Sequence, residues 1–310
     1  MMNLARGTQS VDDTRDFGAH LELFFGQSSD ALARVYARLR DFGLQAGEQL
    51  IGSLAGPTCV YAATLPARMA FVDRSAGGSP LAEVLVPEPC FWTPEMPQLY
   101  QATLELRRDD QVIARAQQTF GIRMLGSAGR KLIYNAKRWV LRAVCQEEAG
   151  RTALQDWHQA DTAMFVRHPD EALCEQSSRV GVLLVAQLDT AEAQEIRRVS
   201  RWPAVGMAVI DARAALDTRR LPPNLLLAAS FVAGEPLRPP AWAQVALVNV
   251  ANRADLAEQL AGCHLPVIAS CIENQMLGGL AEGRALCDRL QRLTAGRVDL
   301  GGYDFAGYLV

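Results

Sequence analysis

The residues of this chain that could carry chemistry follow short apolar runs. Asp211 comes directly after the run 205–210, and Glu273 lies shortly after the run 265–270. Two carboxylates about 5 Å apart can act as a nucleophile and an acid/base in hydrolysis. The structural alternatives are an N-cap of a short helix at 212–217 for Asp211 and a solvated loop position for Glu273.

Further polar side chains lie at or near the ends of such runs and are candidates for ligand contacts. Their side chains can hydrogen-bond to a polar ligand, and the alternatives are ion pairs, helix entries and exposed loops. The candidates are Arg142, Glu147, Arg167, His168, Gln187, Asn249 and Glu273. A ligand site requires that the fold bring these positions together.

Other kinds of site are not indicated by the sequence. The four histidines are dispersed without i, i+4 spacing, and no Cys-x-x-Cys pair occurs. The glycines of 278–285 are in the wrong order for a dinucleotide site, and there is no Gly-x-Ser-x-Gly elbow. We therefore predict no metal and no cofactor.

Eight apolar runs occur in the second part of the chain, and helical stretches separate many of them. The runs are continuous rather than alternating, which is typical of parallel strands buried on both faces. They are 139–144, 163–167, 180–187, 205–210, 225–230, 245–250, 265–270 and 305–310. We predict a shortened (β/α)8 TIM-type barrel over 125–310, with a proline-rich fifth crossover; an open Rossmann-like sheet is the alternative. In a barrel the carboxyl ends of the strands meet at one rim, where most candidate residues would lie.

Short strands and turns dominate the first part of the chain. The strand-like runs are 20–26, 57–66, 81–87, 99–107 and 111–123, and the run 33–43 fits a strand or a helix. The last two strand-like runs flank Arg108-Asp109-Asp110, which predicts a hairpin. We predict a flexible N-terminus at 1–15 and an immunoglobulin-like β-sandwich over 16–124.

Three motifs surround the junction between these two parts. The first is Trp-Thr-Pro-Glu-Met-Pro-Gln-Leu-Tyr at 92–100, and the second is Phe-Gly-Ile-Arg at 120–123. The third is a hairpin motif with Leu132, Asn135, Lys137 and Arg142, in which Ala136 and Ala143 occupy two positions usually held by glycine. Together they resemble family 2 glycoside hydrolases, the β-galactosidase, β-glucuronidase and β-mannosidase group. The resemblance implies an immunoglobulin-like domain followed by a barrel, and we expect the family's N-terminal sugar-binding domain to be missing.

The resemblance also implies two catalytic positions. The family places its acid/base Glu in an Asn-Glu pair just past strand four and its nucleophilic Glu at the end of strand seven. Counted from Pro203, the pair falls on Ala212-Arg213; counted from Pro266, the nucleophile falls on Cys271. Arginine does not release its proton at neutral pH, and nothing beside Cys271 marks an activated thiol.

Both implied positions lack a carboxylate, and three functions follow as hypotheses. The first is a glycoside-hydrolase-like pseudoenzyme that binds a carbohydrate or a protein partner. The second is an active glycoside hydrolase with relocated carboxylates, Asp211 with Glu273 or Glu147 with Glu273. The third is a structural or assembly protein.

Composition and charge argue against several other classes. A net charge of -3 without a basic block gives no indication of a nucleic-acid partner. The N-terminus lacks the apolar core of a signal peptide, and no apolar run has the length of a membrane span. Seven scattered cysteines argue against a disulfide framework. We expect a cytoplasmic protein with reduced thiols and no membrane partner.

Overall fold

The computed structural model describes residues 17–76, 79–146, 152–231, 236–251, 256–271, 279–300 and 303–310. Within this part the chain divides into two units. The first unit contains the described residues up to Ala55, together with Ala67–Glu88 and Gln101–Gln118. The second unit contains Gly56–Pro66, Pro89–Tyr100 and the described residues of Thr119–Val310.

Seven strands form one antiparallel sheet in the first part of the chain. They are β1 (Leu21–Ser28), β2 (Leu32–Leu39), β3 (Glu48–Thr58), β4 (Ala67–Asp73), β5 (Leu81–Pro87), β6 (Leu99–Arg108) and β7 (Gln111–Phe120). Their order across the sheet is β1-β2-β5-β4-β3-β6-β7. Along β2 and β5 every second side chain is buried, as packing on one face requires. The predicted β-sheet character of this part is confirmed.

The predicted hairpin joins β6 and β7 through Asp109 and Asp110. Both turn residues have positive φ, 47° and 68°, which matches the turn twist to that of the strands. The predicted strand at 57–66 is wrong beyond Thr58, where β3 ends. Val60 and Leu65 are exposed, so the apolar residues of this run do not mark a buried strand face.

A three-stranded antiparallel sheet precedes the barrel strands in the second unit. It consists of β8 (Leu125–Ala128), β9 (Lys131–Tyr134) and β10 (Lys137–Trp139). Asn135 and Ala136 form the turn between β9 and β10, with φ of 48° and 59°. Asparagine tolerates this left-handed conformation, whereas the Cβ of alanine makes it unfavourable. The second turn residue is therefore an alanine in a backbone conformation that glycine adopts more readily.

Eight parallel strands close into a barrel in the order of the sequence. They are β11 (Leu141–Cys145), β12 (Ala163–Arg167), β13 (Leu184–Gln187), β14 (Val205–Asp211), β15 (Leu226–Phe231), β16 (Val245–Asn249), β17 (Val267–Ser270) and β18 (Gly307–Leu309). Each predicted run overlaps one of these strands, and β18 pairs with both β17 and β11. The predicted eight-stranded parallel barrel is confirmed, and the open-sheet alternative is wrong.

Helices lie in several of the crossovers between barrel strands. They are α1 (Leu154–Gln159), α2 (Glu171–Val180), α3 (Ala193–Ser200), α4 (Leu256–Ala261) and α5 (Leu280–Ala295). Local sequence sets both ends of α2. The Asp170 carboxylate accepts a hydrogen bond from the backbone N of Leu173 at 2.7 Å, and Gly181 ends the helix in the left-handed conformation.

The crossover after β14 has no α-helix over residues 212–225, so the predicted short helix at 212–217 is wrong. The Asp211 carboxylate accepts from the backbone N of Arg213 at 2.8 Å, and the Ala214 carbonyl accepts from Trp242 Nε1 at 2.9 Å. The first bond is also compatible with a helix start, whereas the second takes a carbonyl that a helix would use. The Asp211 carbonyl accepts from the backbone N of Ala214 at 3.0 Å, which closes a single turn. In the next crossover the described residues 236–244 also contain no α-helix, as their prolines predict.

Candidate functional site

The carboxyl ends of the barrel strands bring several candidate residues to one rim. The strand register pairs Arg167 with Gln187, and it pairs Asn249 with Ser270. Because the strands are parallel, these residues lie at the same end of the barrel as the end of β14. We define the carboxyl-end rim as residues 167–168, 187–189, 211–213, 249 and 270–271.

Asp211 on this rim is held by Arg213, the residue at the implied acid/base position. Asp211 Oδ2 lies 2.6 Å from Arg213 Nη2, and Oδ1 lies 2.9 Å from Nε. The side-chain hydrogen bonds from Arg213, followed by the backbone bond, lower the pKa of Asp211 to about 2. A carboxyl group with this pKa is ionised near neutral pH, so it has no proton to donate to a leaving group.

Asp189 is a second ion-paired carboxylate on the rim, and the sequence interpretation missed it. His168 Nε2 lies 2.7 Å from Asp189 Oδ2, and Arg167 Nη2 lies 3.5 Å from Oδ1. The hydrogen bond from His168 is the largest cause that lowers the pKa of Asp189. The signal in the sequence was its position two residues after Gln187, where the third apolar run ends.

Cys271 occupies the implied nucleophile position at the end of β17. Cys271 is in no disulfide and is half-buried, and its backbone N donates to the Leu309 carbonyl at 2.9 Å. On the neighbouring strand, Asn249 Oδ1 accepts from the backbone N of Ala251 at 2.9 Å. Gln187 is half-buried at the end of β13. The rim thus presents a thiol at the implied nucleophile position, where the family reaction requires a carboxylate. The amides of Gln187 and Asn249 lie on the same rim.

Of three other predicted residues, one lies away from this rim and two cannot be placed. Arg142 lies near the amino end of β11 and donates to Asp288 Oδ1 at 2.9 Å and Gln291 Oε1 at 3.0 Å. Both partners belong to α5, so the Arg142 side chain meets a helix rather than the rim. Glu147 and Glu273 lie outside the described residues.

The described ranges contain no cluster of metal-binding side chains and no helix suited to cross a membrane. No group of three or more His, Cys, Asp or Glu side chains in these ranges could hold a metal ion. The helices of the same ranges include none that is long and apolar enough to cross a membrane. The seven cysteines all lie in the described residues, and none of them is in a disulfide.

The Trp-Thr-Pro-Glu motif packs against α2 within the second unit. Trp92 is fully buried, and its Nε1 donates to the Ser178 carbonyl at 2.8 Å. Tyr134 Oη donates to the Trp92 carbonyl at 3.1 Å, which ties the small sheet to the same residue. This motif therefore has a structural role that does not depend on catalysis.

The Phe-Gly-Ile-Arg motif makes a second set of contacts in the same unit. Arg123 is buried and donates to the carbonyls of Pro203 and Asn224, the latter at 3.0 Å. Burial lowers the pKa of Arg123 to about 10, so the guanidinium stays protonated near neutral pH. A Cβ on Gly121 would lie 2.6 Å from Pro203 Cβ and 3.1 Å from Trp92 Cβ. Only glycine fits this approach without a shift of its neighbours.

Comparison with protein families agrees with these motifs. Residues 57–123 match the sequence model described as glycosyl hydrolases family 2, and this range contains both Trp92 and Arg123. The resemblance to family 2 glycoside hydrolases is confirmed. A comparison with curated protein sequences gives no match.

Solved structures of family 2 glycoside hydrolases and β-glucuronidases share the fold of this chain. The Bifidobacterium dentium β-glucuronidase complexed with coumarin-3-O-glucuronide has a TM-score of 0.60 at 16% identity, over 93% of this chain and 59% of that chain. A glycosyl hydrolase family 2 member from Bacteroides cellulosilyticus has a TM-score of 0.62 at 14% identity, over 94% and 43%. The Bacteroides uniformis β-glucuronidase has a TM-score of 0.56 at 13% identity, over 94% and 45%. This family 2-like chain thus spans less than two thirds of the length of these proteins.

Proposed function

We propose that this family 2-like chain is a pseudoenzyme whose barrel binds a carbohydrate or a protein partner and does not cleave glycosidic bonds. The proposal includes an immunoglobulin-like sandwich for the antiparallel sheet and a TIM-type architecture for the barrel. The observation that carries it is the pair of side chains at the implied catalytic positions, Arg213 and Cys271.

The electrostatics of the rim support this proposal. Glycoside hydrolysis by a carboxylate pair needs one carboxyl group that is protonated and one that is ionised. Side-chain hydrogen bonds lower the pKa of both carboxyl groups, from His168 for Asp189 and from Arg213 for Asp211. Each of these residues can therefore be a hydrogen-bond acceptor, and neither is a proton donor near neutral pH. Acceptors of this kind, with the amides of Gln187 and Asn249, suit the binding of a polar ligand.

The proposal predicts that the purified chain does not hydrolyse p-nitrophenyl β-glycosides of glucose, galactose, mannose or glucuronic acid. Release of p-nitrophenol should stay at the rate without protein from acid to neutral pH, because Cys271 stands at the implied nucleophile position instead of a carboxylate. The assay is run beside a family 2 β-glucuronidase as the positive control. Saturable turnover that Asp211→Asn abolishes would overturn the proposal.

The second hypothesis, an active hydrolase with Asp211 and Glu273, has one observation in its favour. Asp211 lies on the carboxyl-end rim and is ionised, as a glycosidase nucleophile is. This hypothesis predicts that Asp211→Asn and Glu273→Gln each remove the turnover. Asp189→Asn is the matched control, because it removes a carboxylate from the neighbouring strand end.

A further inference from the structure

A cavity of about 360 Å³ lies at the opposite end of the barrel from the carboxyl-end rim. Its lining includes Val140, Thr162 and Leu183, which immediately precede β11, β12 and β13. The cavity therefore opens at the amino ends of the first three barrel strands. Its volume is typical of small-molecule sites. We call it the amino-end cavity.

Two carboxylates, Glu95 and Asp161, line this cavity. Within the part of the chain that the structure describes, neither carboxylate has a hydrogen bond or an ion pair. Partial removal from water and then the charge of Glu95 raise the pKa of Asp161. Both groups can accept hydrogen bonds that the protein itself does not supply.

Three guanidinium groups line the same cavity. Arg138 pairs with Asp304, whereas Arg142 and Arg284 share Asp288 at 2.9 Å and 3.5 Å. Each guanidinium carries five N–H donors and uses only some of them in these pairs. Nη1 of Arg284 is buried and has no hydrogen-bond partner among the described residues. The cavity thus offers donors as well as acceptors.

Aromatic side chains form a third part of the lining. Tyr134, Trp139 and Trp157 all contribute to it, and the Tyr134 and Trp139 ring centroids are 5.6 Å apart. Trp157 is fully buried, so the ring surface that a ligand can reach belongs to Tyr134 and Trp139, which are half-buried. Aromatic surfaces of this kind pack against the apolar parts of a ligand that is polar elsewhere.

We propose that the amino-end cavity binds a small neutral saccharide. Hydroxyl groups both donate and accept, so one ligand can donate to Glu95 and Asp161 and accept from the arginines. An anion would meet the two carboxylates, and a cation would meet the three guanidinium groups. The C–H faces of a sugar ring fit the aromatic wall. This site is separate from the rim and stands whether or not the rim binds a ligand.

The ligand class is tested with three probes that differ mainly in charge: methyl β-D-glucoside, D-glucuronate and D-glucosamine. Ligand-observed NMR on the full chain measures the dissociation constant of each, with cellobiose and methyl β-D-galactoside as further neutral probes. We expect at least one neutral saccharide to bind more tightly than both charged probes. Tighter binding of D-glucuronate or D-glucosamine, or no neutral binding at about 10 mM, overturns the proposal.

The position of the site is tested with the double variant Glu95→Gln and Asp161→Asn. We expect about a tenfold loss of neutral saccharide affinity, because charge-assisted acceptors become neutral amides. Glu175→Gln, an exposed carboxylate on α2, is the matched control and should bind like the parent chain.

A rim variant, Gln187→Ala with Asn249→Ala, separates this site from the proposed function. Binding that survives the rim variant and is lost in the cavity variant supports the amino-end cavity. Binding that is lost only in the rim variant overturns this inference and supports a carbohydrate site at the rim. Thermal unfolding of each variant establishes that the chain is folded.

Discussion

At the scale of single residues, charge partners determine what the carboxyl-end rim can do. Asp211 lies 2.6 Å from the Arg213 guanidinium, and Asp189 lies 2.7 Å from the His168 ring. A proton donor for glycoside hydrolysis needs the opposite environment, one that raises the pKa of its carboxyl group. Ionised hydrogen-bond acceptors of this kind suit the binding role that we propose for the rim.

Asp161 gives a residue-scale prediction for stability. Because the folded chain raises its pKa, its protonated form is favoured by folding, and stability falls as pH rises from the ordinary value of 3.8 through the raised value. Asp161→Asn should therefore raise the melting temperature at neutral pH, and the gain should shrink as pH falls below 3.8. Asparagine also tolerates the φ of 48° at this position.

The control for this prediction is Asp41→Asn, at another position with positive φ, 53°. It measures what the same substitution does at an equivalent backbone conformation in the first unit. A melting temperature of Asp161→Asn that is equal to or below that of the parent chain at neutral pH would contradict the prediction. A stabilising variant that binds saccharide less well would identify Asp161 as a residue kept for binding at a cost in stability.

The candidate residues show how far sequence alone can locate a site. Arg167, His168, Gln187 and Asn249 were predictable because parallel strands bring their carboxyl ends together, and the structure places them on one rim. The contacts of Arg142 were not predictable, since its partners on α5 are 146 and 149 positions away in the chain. The pairing of Asp189 with His168 was also not predictable, because it depends on side-chain geometry between strand ends.

At the scale of elements, Gly121 predicts a clear stability effect. Gly121→Ala would force a Cβ to within 2.6 Å of Pro203, so we expect a destabilisation of about 1–3 kcal/mol. The matched control is Gly126→Ala in β8, where an added Cβ meets nothing within 4 Å. Urea unfolding followed by tryptophan fluorescence measures both. Equal midpoints for the two variants would contradict the close approach of this segment to Pro203.

The turn between β9 and β10 gives a prediction of opposite sign. Ala136 has a φ of 59°, which glycine adopts without a steric cost. Ala136→Gly should therefore stabilise the second unit by about 1 kcal/mol in urea unfolding. Ala128→Gly, in strand β8, is the control and should destabilise it by about 0.5–1 kcal/mol. A midpoint of Ala136→Gly that lies below that of the parent chain would contradict the prediction.

Elements were predictable where the hydrophobic pattern has one explanation. The eight continuous runs and the Asp109–Asp110 hairpin are of this kind, and the structure contains all of them. The strand predicted at 57–66 and the helix predicted at 212–217 rest on patterns that fit more than one structure. In the first, apolar side chains are exposed, and in the second, Trp242 Nε1 binds the Ala214 carbonyl that a helix would use.

At the scale of the whole molecule, the family 2 motifs of this chain belong to the scaffold. Trp92, Gly121 and Arg123 make buried contacts within the second unit that do not depend on the reaction. At the implied catalytic positions, Arg213 pairs with Asp211 at the rim, and Cys271 is half-buried against the barrel core. A chain of this kind can keep the fold of a glycosidase while its sites take a binding role.

The most direct test of this account is covalent trapping with 2,4-dinitrophenyl 2-deoxy-2-fluoro-β-glycosides, which accumulate a glycosyl-enzyme in retaining glycosidases. The chain is incubated with the gluco, galacto and manno forms, and its intact mass is measured beside that of a family 2 β-glycosidase. The account predicts an unchanged mass, because the implied acid/base and nucleophile positions hold Arg213 and Cys271 instead of carboxylates. A gain of one fluorosugar, located by peptide mapping to Asp211, Cys271 or Glu273, would contradict it.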